Sequence, residues 1–257
     1  MFNIFKRQEV SPVTEVKVEK YGSQYINYEV TERPGKPLVF VFSGVDTVPG
    51  RCRTSYYGFH NTLDANVVHI ADNFGAFGCY FLAISRDESI NQAFCALVHK
   101  IREELGVPLE STYFVGTSKG ATTAIIASLS EGGGTVIAGE PQIKLGDFVY
   151  HDNWQSSLSS SALSQVIAGR IDDGEREYLN ELVEKAIKRN ASDYRGNIEI
   201  LYGEKTGYHW RHLRHLEPYF ATTSFDMKRL VLVDCGIETH NDIIGVFQQK
   251  IRQTKFS

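Results

Sequence analysis

The chain has 257 residues, 42% of them apolar and 12% aromatic, enough for one α/β domain with a large core. A formal net charge of -4 and a pI near 6.1 argue against a protein dedicated to nucleic acid, which carries a basic surplus. Four scattered cysteines, Cys52, Cys79, Cys95 and Cys235, show neither Cys-x-x-Cys nor metal-type spacing and read as small buried hydrophobes of a reducing compartment.

Met1 to Val10 carries Phe2, Ile4 and Phe5 but turns charged at Lys6-Arg7, so it holds no apolar core of signal-peptide length. No apolar run is long enough to span a bilayer, and a soluble cytoplasmic protein is the expectation. Residues 13 to 30 place Val13, Val16, Val18 and then Tyr25, Ile26, Tyr28, Val30 on either side of Tyr21-Gly22-Ser23, which predicts an antiparallel hairpin at a sheet edge. After the turn Arg33-Pro34-Gly35-Lys36-Pro37, the run Leu38-Val39-Phe40-Val41-Phe42 is continuously apolar, as in a strand buried on both faces.

The basic and aromatic stretch Arg51 to His60 is a loop on which Arg51 and Tyr56 are candidate substrate-binding residues; a solvated loop anchored by tyrosines is the plainer reading. Val67 to Ala71 and Cys79 to Ile84 both read as strands, joined by the turn-rich Asp72 to Gly78. From Glu88 to Leu105, the residues Ile90, Phe94, Leu97, Val98, Ile101 and Leu105 share one helical face, with His99 on the surface.

Tyr113-Phe114-Val115 then runs into Gly116-Thr117-Ser118-Lys119-Gly120 and the Ala-rich Ala121 to Ala127. A β-branched and aromatic strand, Gly-x-Ser-x-Gly and a helix form the nucleophile-elbow pattern of an α/β-hydrolase, in which glycines let strand and helix approach. A tight turn with a surface serine is the alternative. The spacing does not match a Walker loop, and no Gly-x-Gly-x-x-Gly follows a strand. Thr135 to Gly139 is the next strand. Residues 141 to 195, with the serine-rich 156–164 and a helical pattern from Tyr178 to Arg189, suggest a small cap or insert within an otherwise single domain spanning 1–257. The expected architecture is an α/β-hydrolase fold: a mostly parallel central sheet with an N-terminal antiparallel hairpin and helices on both faces.

A serine nucleophile needs a histidine base, and the histidine needs an acid, in the chain order Ser, acid, His. Of eight histidines, only His240 lies in the loop after the final strand, Arg229 to Asp234. Many hydrolases carry the acid three residues beyond the glycine that ends the penultimate strand; here that position, counted from Gly203, is Thr206. Glu204 is the carboxylate chosen on that turn, and Asp234 is the runner-up. The oxyanion donors are the backbone N–H of Lys119 and of Gly44 or Val45. His209 lies close enough behind Glu204 to be a substrate-binding candidate. His209, His212 and His215, spaced by three, do not converge on one helix face, so no metal site is read there. Serine acyl transfer of this kind calls for no cofactor.

Asp72-Asn73-Phe74-Gly75, Gly116 to Gly120, Ala138-Gly139-Glu140-Pro141-Gln142-Ile143 with Gly146-Asp147, and His240-Asn241-Asp242 together resemble a bacterial branch of α/β-hydrolases. That branch includes the accessory secretion-system glycan O-acetyltransferase and hydrolase-like proteins encoded with capsular polysaccharide genes. The resemblance spans most of residues 38 to 250, although Ala121 stands where relatives tend to have glycine. It implies a Ser-Glu-His triad, acyl chemistry on a cell-surface glycan or glycoprotein, and protein partners in a glycan or secretion pathway. The expected function is therefore serine-dependent ester hydrolysis or O-acyl transfer by Ser118, His240 and Glu204 on a small acyl ester or a glycan. A non-catalytic binding protein on the same fold is the competing expectation.

Overall fold

The computed structural model describes residues 14–46, 48–50 and 55–257. These form one sheet of eight strands: β1 (Thr14–Tyr21), β2 (Gln24–Thr31), β3 (Leu38–Phe42), β4 (Asn66–Ala71), β5 (Thr112–Thr117), β6 (Thr135–Gly139), β7 (Asn197–Tyr202) and β8 (Leu230–Asp234). Their spatial order is β1-β2-β4-β3-β5-β6-β7-β8. β2 pairs antiparallel with both β1 and β4, and every other neighbouring pair is parallel. The hairpin closes at Tyr21↔Gln24, where Gly22 takes φ +58.

The helices are α1 (Phe59–Thr62), α2 (Ser89–Leu105), α3 (Lys119–Glu131), α4 (Leu145–Val149), α5 (Leu158–Ala168), α6 (Glu175–Ala191), α7 (Tyr208–Arg211), α8 (Leu216–Ala221) and α9 (Ile243–Gln253). Among the described residues, no helix is long and apolar enough to cross a membrane.

Strand periodicity explains why the central strands have no polar face. Successive side chains alternate between faces, so a strand covered on both sides must be apolar throughout. In β3, Leu38, Phe40 and Phe42 enter the core under α2, α3 and α6, while Val39 and Val41 enter a second core closed by Phe247 and Ile251 of α9. Phe114 of β5 stacks on Phe40 at 5.4 Å between ring centroids, and its neighbours Tyr113 and Val115 point to the opposite layer. Each fully buried Val or Phe contributes roughly 1.5–3 kcal/mol. The 141–195 segment holds α4, α5 and α6 between β6 and β7, and Leu163, Leu179 and Val183 share the larger core with Phe40 and Phe114.

α3 is buried from Lys119 to Leu129, which accounts for its small residues Gly120, Ala121, Ala124 and Ala127. A Cβ on Gly120 would lie 2.2 Å from the Phe42 carbonyl oxygen, and one on Gly116 would lie 2.5 Å from the Gly120 carbonyl carbon. Glycine is thus fixed at both positions by close approach.

One predicted strand does not form. Cys79 to Ala83 is buried outside any strand, with Tyr80 at φ 58 and Phe81 at φ 51, and the half-buried Ile84 makes only an isolated bridge to Asp87. The backbone N–H groups of Cys79 and Tyr80 donate to the Asp72 carboxylate, at 2.9 and 2.8 Å, instead of to a neighbouring strand. An apolar run buried by its side chains does not require a ladder when a carboxylate takes its donors.

His69 in β4 is buried, with Nε2 3.3 Å from the Tyr56 carbonyl oxygen, and burial lowers its pKa to about 4. His212 is also buried; burial first, then the Arg211 charge, lowers its pKa to about 3.

Two outcomes are expected. Gly120→Ala should cost at least about 2 kcal/mol by overpacking α3 against β3, measured by urea unfolding; a loss within error of zero contradicts the close approach. Because both histidines have folded-state pKa values below the free value of about 6.5, the unfolded chain takes up protons first and stability falls as pH drops from about 6.5 towards 4. His69→Gln should flatten that slope in urea titrations across the same window, and an unchanged slope would contradict the assignment.

Candidate active site

Ser118 sits between β5 and α3 at φ 55, ψ -121, a left-handed conformation that costs a non-glycine residue about 1–3 kcal/mol. Its N–H donates to the Gly139 carbonyl at 2.8 Å, and its carbonyl accepts from Ala121 and Thr122, so the strained turn is held from both sides. Serine at a helix start ordinarily caps the helix with its hydroxyl; here it makes no such bond, and the hydroxyl faces the pocket. The N–H of Lys119, the first helical residue, has no intrahelical partner for geometric reasons.

The Lys119 side chain turns the other way. Its Nζ lies 2.9 Å from Oδ2 of Asp72, both side chains almost fully buried. A Cβ on Gly78, at φ +85, would lie 2.3 Å from Nζ and 2.4 Å from Oδ2. The pair ties the 72–80 turns to the elbow helix, and removing one partner alone would leave a buried uncompensated charge.

Ser118 and His240 line one open pocket of about 440 Å³, together with Gly44, Val45, Tyr56, Gln142 and Phe148 of α4. His240 opens the turn before α9. That turn is fixed by Asp242, whose Oδ2 accepts from Thr239 N at 2.8 Å and from Thr239 Oγ1 at 2.9 Å.

The carboxylate that meets His240 is Glu140. Its Oε2 lies 2.5 Å from His240 Nδ1; its Oε1 accepts from Thr206 Oγ1 at 2.5 Å and from Gly203 N at 3.2 Å. Glu140 is 0% exposed and takes φ 46 directly after β6, where its N–H bonds to the Leu201 carbonyl at 2.9 Å. A buried carboxylate with three donors is held in one orientation.

Glu204 stands elsewhere. It lies exposed on the turn after β7, and its N–H donates to Asp234 Oδ1 at 3.2 Å. Asp234, also exposed, accepts from Gly236 N at 3.0 Å as well. The Asp234 carboxylate holds backbone N–H groups of the β7–β8 surface, Glu204 is exposed beside it, and neither carboxylate meets His240 Nδ1. Thr206 occupies the position where the acid is expected and donates to Glu140 instead. Glu140-Pro141 stands immediately after the strand that follows the elbow, between Ser118 and His240 in chain order.

The other expected residues divide. The Gly44 N–H is occupied by Ser55 Oγ at 3.1 Å, while among the described residues nothing accepts from Val45 N–H. A Cβ on Gly44 would meet Thr117 O at an ordinary 3.6 Å, so close approach does not require that glycine. Tyr56 lines the pocket with its hydroxyl 2.6 Å from Thr117 Oγ1, and burial pushes its pKa up to about 12. His209 stacks on Tyr202 at 5.5 Å and does not line the pocket. Arg51 lies outside the described residues. Among the described residues no cluster of potential metal ligands forms.

Sequence reading also missed Tyr208, at the start of α7. Its ring stacks on His240 at 4.3 Å with 6° between planes, and its hydroxyl lies 3.2 Å from His240 Nε2. Burial pushes the Tyr208 phenol up to about 12.

Compared with protein-family models and with curated proteins, the chain matches none. Solved structures do match. A capsule O-acetyltransferase of Neisseria meningitidis serogroup A aligns with a TM-score of 0.70 at 18% identity, over 93% of this chain and 95% of that one. A chain of the glycosylation associate protein complex of Streptococcus agalactiae aligns at 0.72 and 14% identity, over 93% of this chain but 46% of that one. The fluorophosphonate-binding serine hydrolase F of Staphylococcus aureus aligns at 0.60 and 12% identity, over 95% and 97%. The strand order, the elbow after β5 and these neighbours agree: the chain has the α/β-hydrolase fold.

Proposed function

We propose that the protein is a serine acyl-transfer enzyme whose triad is Ser118, His240 and Glu140. The observation that carries this reading is the buried Glu140 carboxylate 2.5 Å from Nδ1 of a histidine that shares a pocket with a serine on a strained strand-to-helix turn. Glu140 accepts the Nδ1–H and leaves Nε2 bare, the tautomer a general base needs. Ser118 attacks the acyl carbonyl, its proton ends on His240, and the imidazolium is stabilised by Glu140. The N–H groups of Lys119 and Val45 receive the oxyanion; Gly44 joins them only if Ser55 releases it.

A glycan hydroxyl as acceptor is supported by two of the fold neighbours, a capsule O-acetyltransferase and a glycosylation complex component. Water entering the open pocket would give hydrolysis of the same acyl-enzyme. The free thiols Cys79, Cys95 and Cys235 support a reducing, cytoplasmic setting.

A fluorophosphonate probe should label the wild-type protein at Ser118, and Ser118→Ala should abolish labelling. A folded wild type that takes no label would contradict the reading and favour a binding role for the fold. Glu140→Gln should lower p-nitrophenyl acetate turnover on the order of 10³–10⁴-fold by losing the tautomer and its charge partner, whereas Glu204→Gln and Asp234→Asn should stay within about 3-fold of wild type. The reverse ranking would restore the acid to the β7–β8 surface.

A further inference from the structure

Two contacts fix the His240 ring, one at its edge and one on its face. At the edge, Nδ1 meets Glu140 Oε2 at 2.5 Å. On the face lies Tyr208, with 4.3 Å between ring centroids and 6° between planes. Rings so close and so nearly parallel overlap face to face, since coplanar rings side by side have centroids farther apart. The phenol oxygen, 3.2 Å from Nε2, therefore approaches that nitrogen from above the imidazole plane and does not occupy its in-plane lone pair. Tyr208 is itself held in place. It is 6% exposed, its N–H donates to Thr206 Oγ1 at 3.3 Å, and Thr206 donates in turn to Glu140 Oε1 at 2.5 Å. One threonine thus joins the partner on the face to the partner at the edge. The Gln142 side-chain amide also donates to the phenol oxygen, at 3.4 Å.

We propose that Tyr208 is a positioning residue whose π face stabilises the imidazolium that His240 becomes during acyl transfer; this rests on the serine-enzyme reading above. As Ser118 Oγ bonds to the carbonyl carbon, the carbonyl π pair moves onto its oxygen and the serine proton passes to His240 Nε2. Tyr208 exchanges no proton. Collapse breaks the bond from carbon to the leaving oxygen, and the imidazolium returns its proton to that oxygen. The face of an aromatic ring carries the negative part of its quadrupole, so it attracts a cation stacked on it and favours a neutral ring much less. The stack is therefore stronger once the proton has moved, which is the condition for lowering the barrier. The neighbouring groups leave this contribution visible. His212, which packs on Tyr208 at 5.0 Å, is buried and lowered to about 3, so it adds no charge at neutral pH. Arg211 of α7 is exposed, Asp242 is turned to Thr239, and Glu238 pairs with Lys205. Among the described residues, Glu140 is the one carboxylate paired with His240.

The test is a series of nearly constant shape at position 208: phenylalanine, then its mono-, tri- and pentafluorinated forms, in which each fluorine draws charge from the ring face. Circular dichroism checks that every member is folded. Nuclear magnetic resonance reads the pH at which the carbon-bound ring protons of His240 titrate, and p-nitrophenyl acetate kinetics read the acid limb of kcat/KM, which reports the base of the free enzyme. Both should step to lower pH together as fluorines are added, by about 0.5–1 pH unit over the series. Tyr208→Leu, which removes the face, should move them in the same direction. A titration that stays still along the series, or moves to higher pH, while wild-type turnover is intact overturns the stack and leaves Tyr208 a packing residue. Stepwise titration in a protein whose wild type neither turns over the ester nor takes a fluorophosphonate label overturns the serine-enzyme reading, and the role in acyl transfer with it. The two failures are thus distinguishable.

Discussion

The site depends on the buried carboxylate of Glu140. A carboxyl side chain removed from water is tolerated only when its oxygens are satisfied. Here Thr206 and Gly203 hold one oxygen, and His240 takes the other. The donors come from two distant parts of the chain: the turn after β7 and the turn before α9 both close on the residue that follows β6. The bond that orients His240 is therefore also a bond that fastens the C-terminal end of the sheet. Local strain follows the same geometry, since the positive φ of Glu140 aims its side chain across the strand ends, and that of Ser118 aims its hydroxyl into the same pocket.

Around this pair the fold acts as a rigid frame. The elbow can form only because α3 lies against β3 with no Cβ at Gly120, and the Lys119–Asp72 pair secures the 72–80 turns to the same helix. Lys119 thus has two separate roles: its backbone N–H is a proposed oxyanion donor, and its side chain braces the scaffold through Asp72. The pocket is open and lined by α4 and the start of α9, so residues from the segment between β6 and β7 contact the space where substrate would bind.

Much of this was legible in the chain. The elbow, the doubly buried strands and the edge hairpin follow from short-range rules: glycine where backbones touch, continuous apolar runs between two layers, and alternation around Tyr21-Gly22-Ser23. His240 is legible as the candidate base because in this fold the base is placed by chain order. Glu140 was not chosen as acid because a carboxylate's partner is a long-range fact; Glu140 and His240 are 100 residues apart, and only the sheet order brings them together. Glu204 looked better placed by local analogy, but its side chain leaves the turn towards solvent. Cys79 to Ile84 misled for a related reason: its apolar pattern signals burial, and burial was supplied by turns tied to Asp72. Tyr208 carries no motif at all, and its place beside His240 arises from the packing of α7.

The central claim, that Glu140 orients His240, is tested most directly by nuclear magnetic resonance of protein labelled with nitrogen-15 histidine. The account predicts a strongly deshielded Nδ1 proton assigned to His240 that moves sharply upfield in Glu140→Gln and is unchanged in Glu204→Gln. A His240 ring proton indifferent to Glu140→Gln, or one lost instead in Glu204→Gln, would contradict it.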